Sequence, residues 1–511
     1  MSRVGISSES FDLDVVAARL NKVRAKSSVV VQCHGVFDLM HPGHVSHLAE
    51  AKAQGDLLVV TVTPDRYVDK GPGRPIFDQN QRAQMLRALE VVDFVAITGS
   101  PTAVDAISIL KPDVFVKGPD YVIKDNDISG NIVREEDAVK TVGGRIHFTQ
   151  APAMSSSKLI NSHVPVQDLE TQAWVESFRE THSEESVLNW LSLTAELKVL
   201  VIGEAIIDEY VRCEALGKSS KDPVLAFREI SHERQVGGSL AIASHCGGIG
   251  AQVTALFILG SNSEDRELVL DNLSENVTPE IVVSSSHPTI IKRRYVDELT
   301  EARVFETYVM NSDDTSEQDN IAIQRALRKL LPLMDVVLVA DYGHGLMSQE
   351  IIEALIDSEK FLAVNTQSNA GNRGFNTISR YAKADFVCLN GGEMALELRR
   401  RHLTLNELVP QLLERTGAQR AIVTEGARGL ACSDDGRTVT HVPAFAQSIK
   451  DRVGAGDALF ATTSLLTAVG APADITGFFG NLAGAASVAE LGNRTHITGT
   501  SLKRHAVALL K

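Results

Sequence analysis

The sequence predicts an α/β protein built from two parallel-sheet domains, each with buried strands covered by helices. Two observations carry this expectation. Runs rich in Val and Ile alternate with helical patterns in both halves, at residues 57–62, 94–98 and 114–116 in the first and 336–340 and 421–424 in the second. Continuous apolar strands of this kind are buried on both faces, as in parallel sheets. The chain is also 511 residues long, more than one core usually supports, so two or three domains are expected.

The first element is the β-branched run 28–31, a buried strand that leads into Gln32-Cys33-His34-Gly35-Val36-Phe37-Asp38-Leu39-Met40-His41-Pro42-Gly43-His44 and then a helical pattern over 45–53. A helix start presents unpaired N–H groups and a positive dipole end, so a nucleotide triphosphate docked there is favoured before any side chain contributes. His41 and His44 add donors. Nucleotidyl transfer needs positioning and charge stabilisation at the α-phosphorus, with no protein nucleophile. A lone His-x-x-His is more often a pair of surface or core histidines. Here further blocks follow in order: Lys70 and Arg74 in a Gly/Pro-rich basic segment, Gln81-Arg82 opening a helix, Val116-Lys117-Gly118-Pro119-Asp120-Tyr121, and Ser155-Ser156-Ser157-Lys158. Taken singly, Lys117-Gly118 is an ordinary strand end and three serines are an ordinary cap.

Together these blocks resemble the HxGH nucleotidyltransferases, in particular the transferase domain of the bifunctional heptose kinase/adenylyltransferases, across residues 27–162. The resemblance implies a Rossmann-like domain. It implies that His41, His44, Lys70 and Lys117 are catalytic, and that Gly35, Phe37, Arg82, Ser155, Ser156 and Ser157 hold nucleotide and phosphates. Asp120 would contact the acceptor.

Residues 163–196 come next, acidic, free of glycine and carrying both tryptophans, Trp174 and Trp190. They read as a helical connector whose tryptophans pack against a domain.

Residues 197–511 open on the strand Val199-Leu200-Val201-Ile202-Gly203, followed by Asp208, and carry Asp451-Arg452-Val453-Gly454-Ala455-Gly456-Asp457 before an apolar helix. A Gly-rich turn at a helix start forms an anion hole from backbone N–H groups, and a carboxylate beside it suits a general base toward an attacking hydroxyl. Alone, Gly-x-Gly-Asp is as readily a glycine turn with a helix-capping Asp. Other blocks are Gly237-Gly238, His287-Pro288-Thr289 with Lys292-Arg293-Arg294, Asp341-Tyr342-Gly343-His344-Gly345, Asn390-Gly391-Gly392-Glu393, and Val423-Thr424-Glu425-Gly426 with Gly429. In isolation Asp208 is a helix cap and Glu393 a solvated helix face.

This set resembles the PfkB/ribokinase carbohydrate kinases and implies a ribokinase-like α/β domain with a small β lid. In its terms Asp457 is the catalytic base, and Gly454, Ala455 and Gly456 form the anion hole. Thr424 and Gly426 lie beside the nucleotide, Asp208, Gly237 and Gly238 bind the acceptor, and Asn390 and Glu393 organise Mg2+ through water. Antiparallel insertions within 211–233 and 289–310 are expected to build the lid, which in this family often builds dimers. Two departures stand out. Asn365-Thr366-Gln367 replaces the Asp-Pro pair of heptose kinases, and the domain order is reversed relative to the bifunctional heptose enzymes.

Composition narrows the classes. A net charge of −15 argues against a nucleic-acid or membrane surface as partner, so anionic substrates must be drawn in by local groups such as Lys70, Arg74 and Lys117. The five scattered cysteines include no Cys-x-x-Cys pair and indicate a reduced compartment. Cys33 reads as a packed strand-end thiol. No secretory signal and no apolar run of membrane length is present, so a cytoplasmic enzyme is expected.

The reading is a bifunctional sugar-nucleotide enzyme using Mg2+ and ATP in the kinase and ATP or CTP in the transferase, acting on sugar phosphates. The resemblance favours an ADP-heptose-like product, a route in which a separate phosphatase acts between the two steps. A CTP-dependent route to a CDP-sugar or CDP-polyol is the alternative. A non-catalytic sugar-binding role for one half is another, left open for the kinase by Asn365-Thr366-Gln367.

Overall fold

A computed structural model describes residues 10–24, 28–121, 131–150, 167–311, 315–372, 374–400 and 404–511. The contacts divide the chain into two compact units, residues 1–166 with 507–511 and residues 167–506.

The first unit is a five-stranded sheet of β1 (Val30–Gly35), β2 (Leu57–Val62), β3 (Phe94–Ile97), β4 (Val114–Lys117) and β5 (Arg145–Phe148), in the order β3-β2-β1-β4-β5. All pairs are parallel. Its strands are buried on both faces because alternate residues feed different cores. Val31, Cys33, Leu58 and Val60 pack on one side, and Val30 and Val59 on another. Strand order reverses between β1 and β4, so their C-terminal ends flank the crevice where open α/β sheets bind ligands. His41 follows β1 and Lys117 ends β4.

In the second unit the strands are β6 (Lys198–Gly203), β7 (Ala205–Lys218), β8 (Leu225–Gly238), β9 (Gln252–Gly260), β10 (Val277–Ser284), β11 (Ile290–Asp297), β12 (Arg303–Val309), β13 (Val336–Asp341), β14 (Phe361–Thr366), β15 (Phe386–Asn390), β16 (Arg420–Thr424), β17 (Leu430–Ser433) and β18 (Thr440–Val442). Nine form one sheet in the order β10-β9-β6-β13-β14-β15-β16-β17-β18, parallel from β10 through β16. Two antiparallel strands close that edge. The remaining four make the expected lid, in the order β12-β11-β7-β8. Its two hairpins are antiparallel, but β7 and β11 join them in parallel, which the sequence reading did not include.

The acidic segment after residue 166 forms the helices Leu169–Thr181 and Glu184–Leu193, which belong to the second unit. Asp168 and Ser183 cap them. Trp174 stacks on Phe178 at 4.9 Å between ring centroids and lies near Phe445 and Phe478, so it is a packing residue. Among the described residues no helix is long and apolar enough to cross a membrane.

Candidate functional sites

In the first unit the turn after β1 is shaped by Phe37, which adopts a left-handed φ of 53°. Its ring lies 5.4 Å from that of His44, centroid to centroid, and a Cβ on Gly35 would stand 3.1 Å from it. Gly35 thus makes room for the ring that backs the second histidine. His41 is the N-cap of the helix Pro42–Lys52, where Pro42 occupies the first turn at no hydrogen-bond cost. The His41 and His44 rings stack at 3.9 Å. Both His41 ring nitrogens and His44 Nδ1 are buried without a partner among the described residues. Burial, with the neighbouring His41 and Lys70 charges, pulls His44 down to about 3, so it is a neutral N–H donor at pH 7.

The basic residues divide. Burial lowers Lys70, with Asp38 opposing the shift. Arg74 is 3.5 Å from Asp38, whose Oδ1 also accepts from the Ile76 N–H at 2.6 Å. Lys117 sits 2.6 Å from Glu135 with both side chains buried, and its ammonium lies 4.8 Å from the Tyr121 ring centroid. Arg82 is fully buried, and its guanidinium donates to Phe77 O at 3.0 Å, Val36 O at 2.5 Å and Asp65 Oδ1 at 2.6 Å. Three of its donors thus brace the loop that carries Phe37. Cys33 is a packed thiol that burial pushes up to about 12, as expected. The side chain of Asp120 and all of Ser155, Ser156 and Ser157 lie outside the described residues.

In the second unit, Gly454 takes φ 84° and caps the helix Ala455–Ala468, so the first N–H groups of that helix carry no intrahelical bond. A Cβ on Gly454 would stand 1.9 Å from Asn493 Oδ1, so no other residue fits there. Asp457 lies in the first helical turn and accepts a hydrogen bond from the Tyr342 hydroxyl at 2.8 Å. Burial pushes its carboxyl up to about 7. The nearby Asp208 charge adds to the rise, while the Tyr342 hydrogen bond, Lys292 and Arg294 oppose it.

Asp208 on β7 is held by Arg294 Nη1 at 2.5 Å. A Cβ on Gly237 would stand 2.2 Å from Asp208 Oδ2, and one on Gly238, at φ 60°, 2.6 Å from Glu204 O. Gly237 therefore lets the Asp208 carboxylate lie against the backbone, and Gly238 lets the chain pass close to Glu204 O. Lys292 is opposite Asp208 in the parallel β7–β11 register and lies 5.5 Å from the Tyr342 ring centroid. Glu204 accepts from the N–H groups of Tyr342 at 2.9 Å and His344 at 3.0 Å, fixing the turn after β13. Tyr342, Lys292 and Arg294 lie in blocks quoted from the sequence but, like Glu204, were given no site role there. For Lys292 and Arg294 a signal was legible, since alternation on a strand puts both on one face.

Asn390 and Thr424 are register partners at the ends of β15 and β16. Asn390 and Glu393 form a capping box: Asn390 Oδ1 accepts from the Glu393 N–H and Glu393 Oε2 from the Asn390 N–H, both at 2.9 Å. Glu393 Oε1 also accepts from the Ser368 N–H at 3.0 Å. No cluster of three acidic, His or Cys ligands occurs among the described residues. Each Glu393 oxygen retains acceptor capacity, which fits a water of a hydrated ion and not a direct metal cage. Gly426 is at φ 61° with open space where a Cβ would point. Asn365 Nδ2 donates to Cys388 O at 2.7 Å, tying β14 to β15.

A largely parallel α/β domain with a second, four-stranded β sheet and a Gly-Ala-Gly-Asp helix start defines a ribokinase-like carbohydrate kinase. The family model for pfkB family carbohydrate kinases matches residues 196–498, more than half of the chain, and the chain belongs to that family. A cytidylyltransferase-like model matches residues 33–162.

Among similar proteins, "Bifunctional protein HldE" of Koribacter versatilis is 29% identical over 308 residues, 60% of this chain and 61% of that protein. The protein of the same name in Campylobacter fetus subsp. fetus is 43% identical over 128 residues, 25% of this chain and 28% of that protein. These matches span at most about three fifths of the relatives' length. The Escherichia coli phosphofructokinase-2 structure in complex with fructose-6-phosphate aligns at TM-score 0.50 and 15% identity, covering 62% of this chain and 100% of that one. It is a likeness of fold.

Proposed function

We propose that this chain is a bifunctional sugar-nucleotide enzyme: an ATP-dependent sugar or sugar-phosphate kinase in the second unit and a nucleotidyltransferase in the first. The observation that carries the proposal is Asp457, a half-buried carboxylate in the first turn of a helix whose first N–H groups carry no intrahelical bond at a glycine cap.

In the kinase step Asp457 takes the proton of an acceptor hydroxyl held against Asp208. The hydroxyl oxygen attacks the γ-phosphorus and ADP leaves. The N–H groups after Gly454, with Lys292, neutralise the transferred charge. Asn390 and Glu393 would hold Mg2+ through its water, and the ion, when bound, would screen phosphate charge.

In the transferase step a sugar-phosphate oxygen attacks the α-phosphorus of a nucleotide and pyrophosphate leaves. Neutral His41 and His44 donate hydrogen bonds to the phosphates, and Lys70 and Lys117 supply positive charge. The resemblance of residues 27–162 to the transferase domain of the bifunctional heptose kinase/adenylyltransferases favours an ADP-heptose-like product. A second reading, transfer from CTP to a sugar or polyol phosphate, is favoured by the cytidylyltransferase-like match. A dimer formed through the lid is supported by β12, an edge strand exposed along its length.

The test is pyrophosphate release by the purified chain with ATP or CTP against heptose, hexose and polyol phosphates. Release with ATP and a heptose 1-phosphate is expected. Release only with CTP moves the transferase to the second reading, and release with neither nucleotide overturns the transferase assignment.

A further inference from the structure

Beside the kinase centre lies a cavity of about 160 Å3, partly open to solvent. Its wall is made by residues 233–236 of β8, by one face of the helix Ser239–Ile249 and by the loop 493–496. Ala241 lines it with a small side chain and so leaves the space open. The loop can lie close to the helix because Gly248 has no side chain: a Cβ there would stand 2.2 Å from Ile497 O.

The chemistry of this wall is unusual. Arg234 Nε, Ser244 Oγ, His245 Nε2 and both amide atoms of Asn493 are buried without a partner among the described residues. Ser244 is 4% and His245 2% exposed. Native interiors satisfy nearly all such atoms, so several together in one cavity wall mark a place where a polar ligand supplies the missing bonds. The protonation of His245 is set, because its Nδ1 accepts from the Ile497 N–H at 3.0 Å, which leaves the proton on Nε2. Burial holds the ring neutral.

The nearby charges are compensated: Arg234 pairs with Asp265 at 2.5 Å, and Arg494 with Glu233. The orphaned atoms therefore include acceptors, Asn493 Oδ1 and Ser244 Oγ, as well as donors, His245 Nε2, Asn493 Nδ2 and Arg234 Nε, a mixture that matches hydroxyl groups, which both donate and accept. A phosphate accepts only, and the Asn493 carbonyl would repel it. Asn493 also connects the cavity to the reaction centre, with Oδ1 against Gly454 and Nδ2 3.5 Å from where a Gly237 Cβ would lie.

We infer that this cavity is an acceptor subsite that takes a hydroxyl-bearing arm of the sugar, remote from the hydroxyl that is phosphorylated, with Ser244 and His245 as its specificity-determining residues. The inference rests on the kinase reading and narrows the acceptor to one with a hydroxyl-bearing extension at this end.

The experiment is steady-state kinase kinetics of the full chain and of the Ser244→Ala and Ala241→Met variants, using aldoses and ketoses of five to seven carbons, their phosphates and matching deoxy analogues. Ser244→Ala is expected to raise the acceptor KM by roughly 5–10-fold, the loss of about one hydrogen bond. Its kcat and ATP KM stay within about twofold, and it no longer distinguishes the acceptor from the analogue lacking the recognised hydroxyl. Ala241→Met fills the space and gives a larger KM increase.

Unchanged acceptor KM in Ser244→Ala, with discrimination against deoxy analogues intact, means the cavity holds water alone and overturns the inference. Competition by inorganic phosphate against the acceptor, relieved by Ser244→Ala, assigns the cavity to phosphate and also overturns it. Absence of ATP turnover with every sugar defeats the kinase reading instead. Calorimetric titration with sorbitol then decides the cavity separately: binding weakened by Ser244→Ala supports it, and no binding overturns it.

Discussion

The Tyr342 hydroxyl donates to Asp457 Oδ1 at 2.8 Å, joining the turn after β13 to the first turn of the helix Ala455–Ala468. The bond stabilises the ionised carboxylate against burial that pushes it up to about 7. A base must be deprotonated to act, so kcat/KM of the kinase is expected to rise with pH through about 7 and level off above it. Tyr342→Phe removes an interaction that lowers the pKa, so the rising limb moves to higher pH. A pH–rate profile that stays in place argues against Asp457 as the titrating base.

Asp457→Asn keeps shape and removes proton acceptance. Kinase turnover is expected to fall by about 10²–10⁴-fold, with pyrophosphate release by the other unit retained. Parallel assays of both activities on one preparation check this, and unchanged ATP turnover removes Asp457 from the base role.

Gly237→Ala places a methyl group 2.2 Å from Asp208 Oδ2 and must displace that carboxylate. Acceptor KM is expected to rise at least tenfold, with little change in ATP KM, as measured by varying each substrate in turn.

His44→Ala is expected to abolish pyrophosphate release and leave the kinase intact. His44 is held down to about 3 and stays neutral above that, so no limb of the transferase pH profile between about 5 and 8 should belong to it. A limb in that range that disappears in His44→Ala contradicts the neutral-donor role.

Arg82→Met leaves the Val36 and Phe77 carbonyls and Asp65 without their donor. Asp65 is partly exposed, so the cost falls below that of a fully buried pair, about 2–3 kcal/mol. Thermal unfolding should show a destabilised first unit, while the nucleotide KM of the folded fraction changes little. A large KM increase at unchanged stability returns Arg82 to the phosphate site.

Much of this architecture is legible along the chain because its signals are local. Val/Ile runs with helices between them announce parallel sheets, and ligands gather at strand C-terminal ends, where His41, Lys117, Asn390 and Gly454 do fall. That the Arg82 side chain ends among the Val36 and Phe77 carbonyls and Asp65 was not legible, because its position opening a helix says nothing of where a long side chain ends. Asn390 and Glu393 have the spacing of a capping box, and the structure shows that box formed. Spacing alone does not separate that role from a metal-organising one.

By itself the sequence determined two α/β domains, their order, the glycine turn before Asp457 and the paired histidines, since each depends on residues adjacent or one turn apart. Tertiary structure alone decided that Tyr342 reaches Asp457, that Arg294 holds Asp208 across 86 residues, and that unpartnered groups from β8, a helix and the loop at Asn493 enclose one cavity. The physical reason is that burial and hydrogen bonding act through space. Strand register brings Lys292 opposite Asp208, and the same packing that removes water from Asp457 moves its proton affinity toward neutrality.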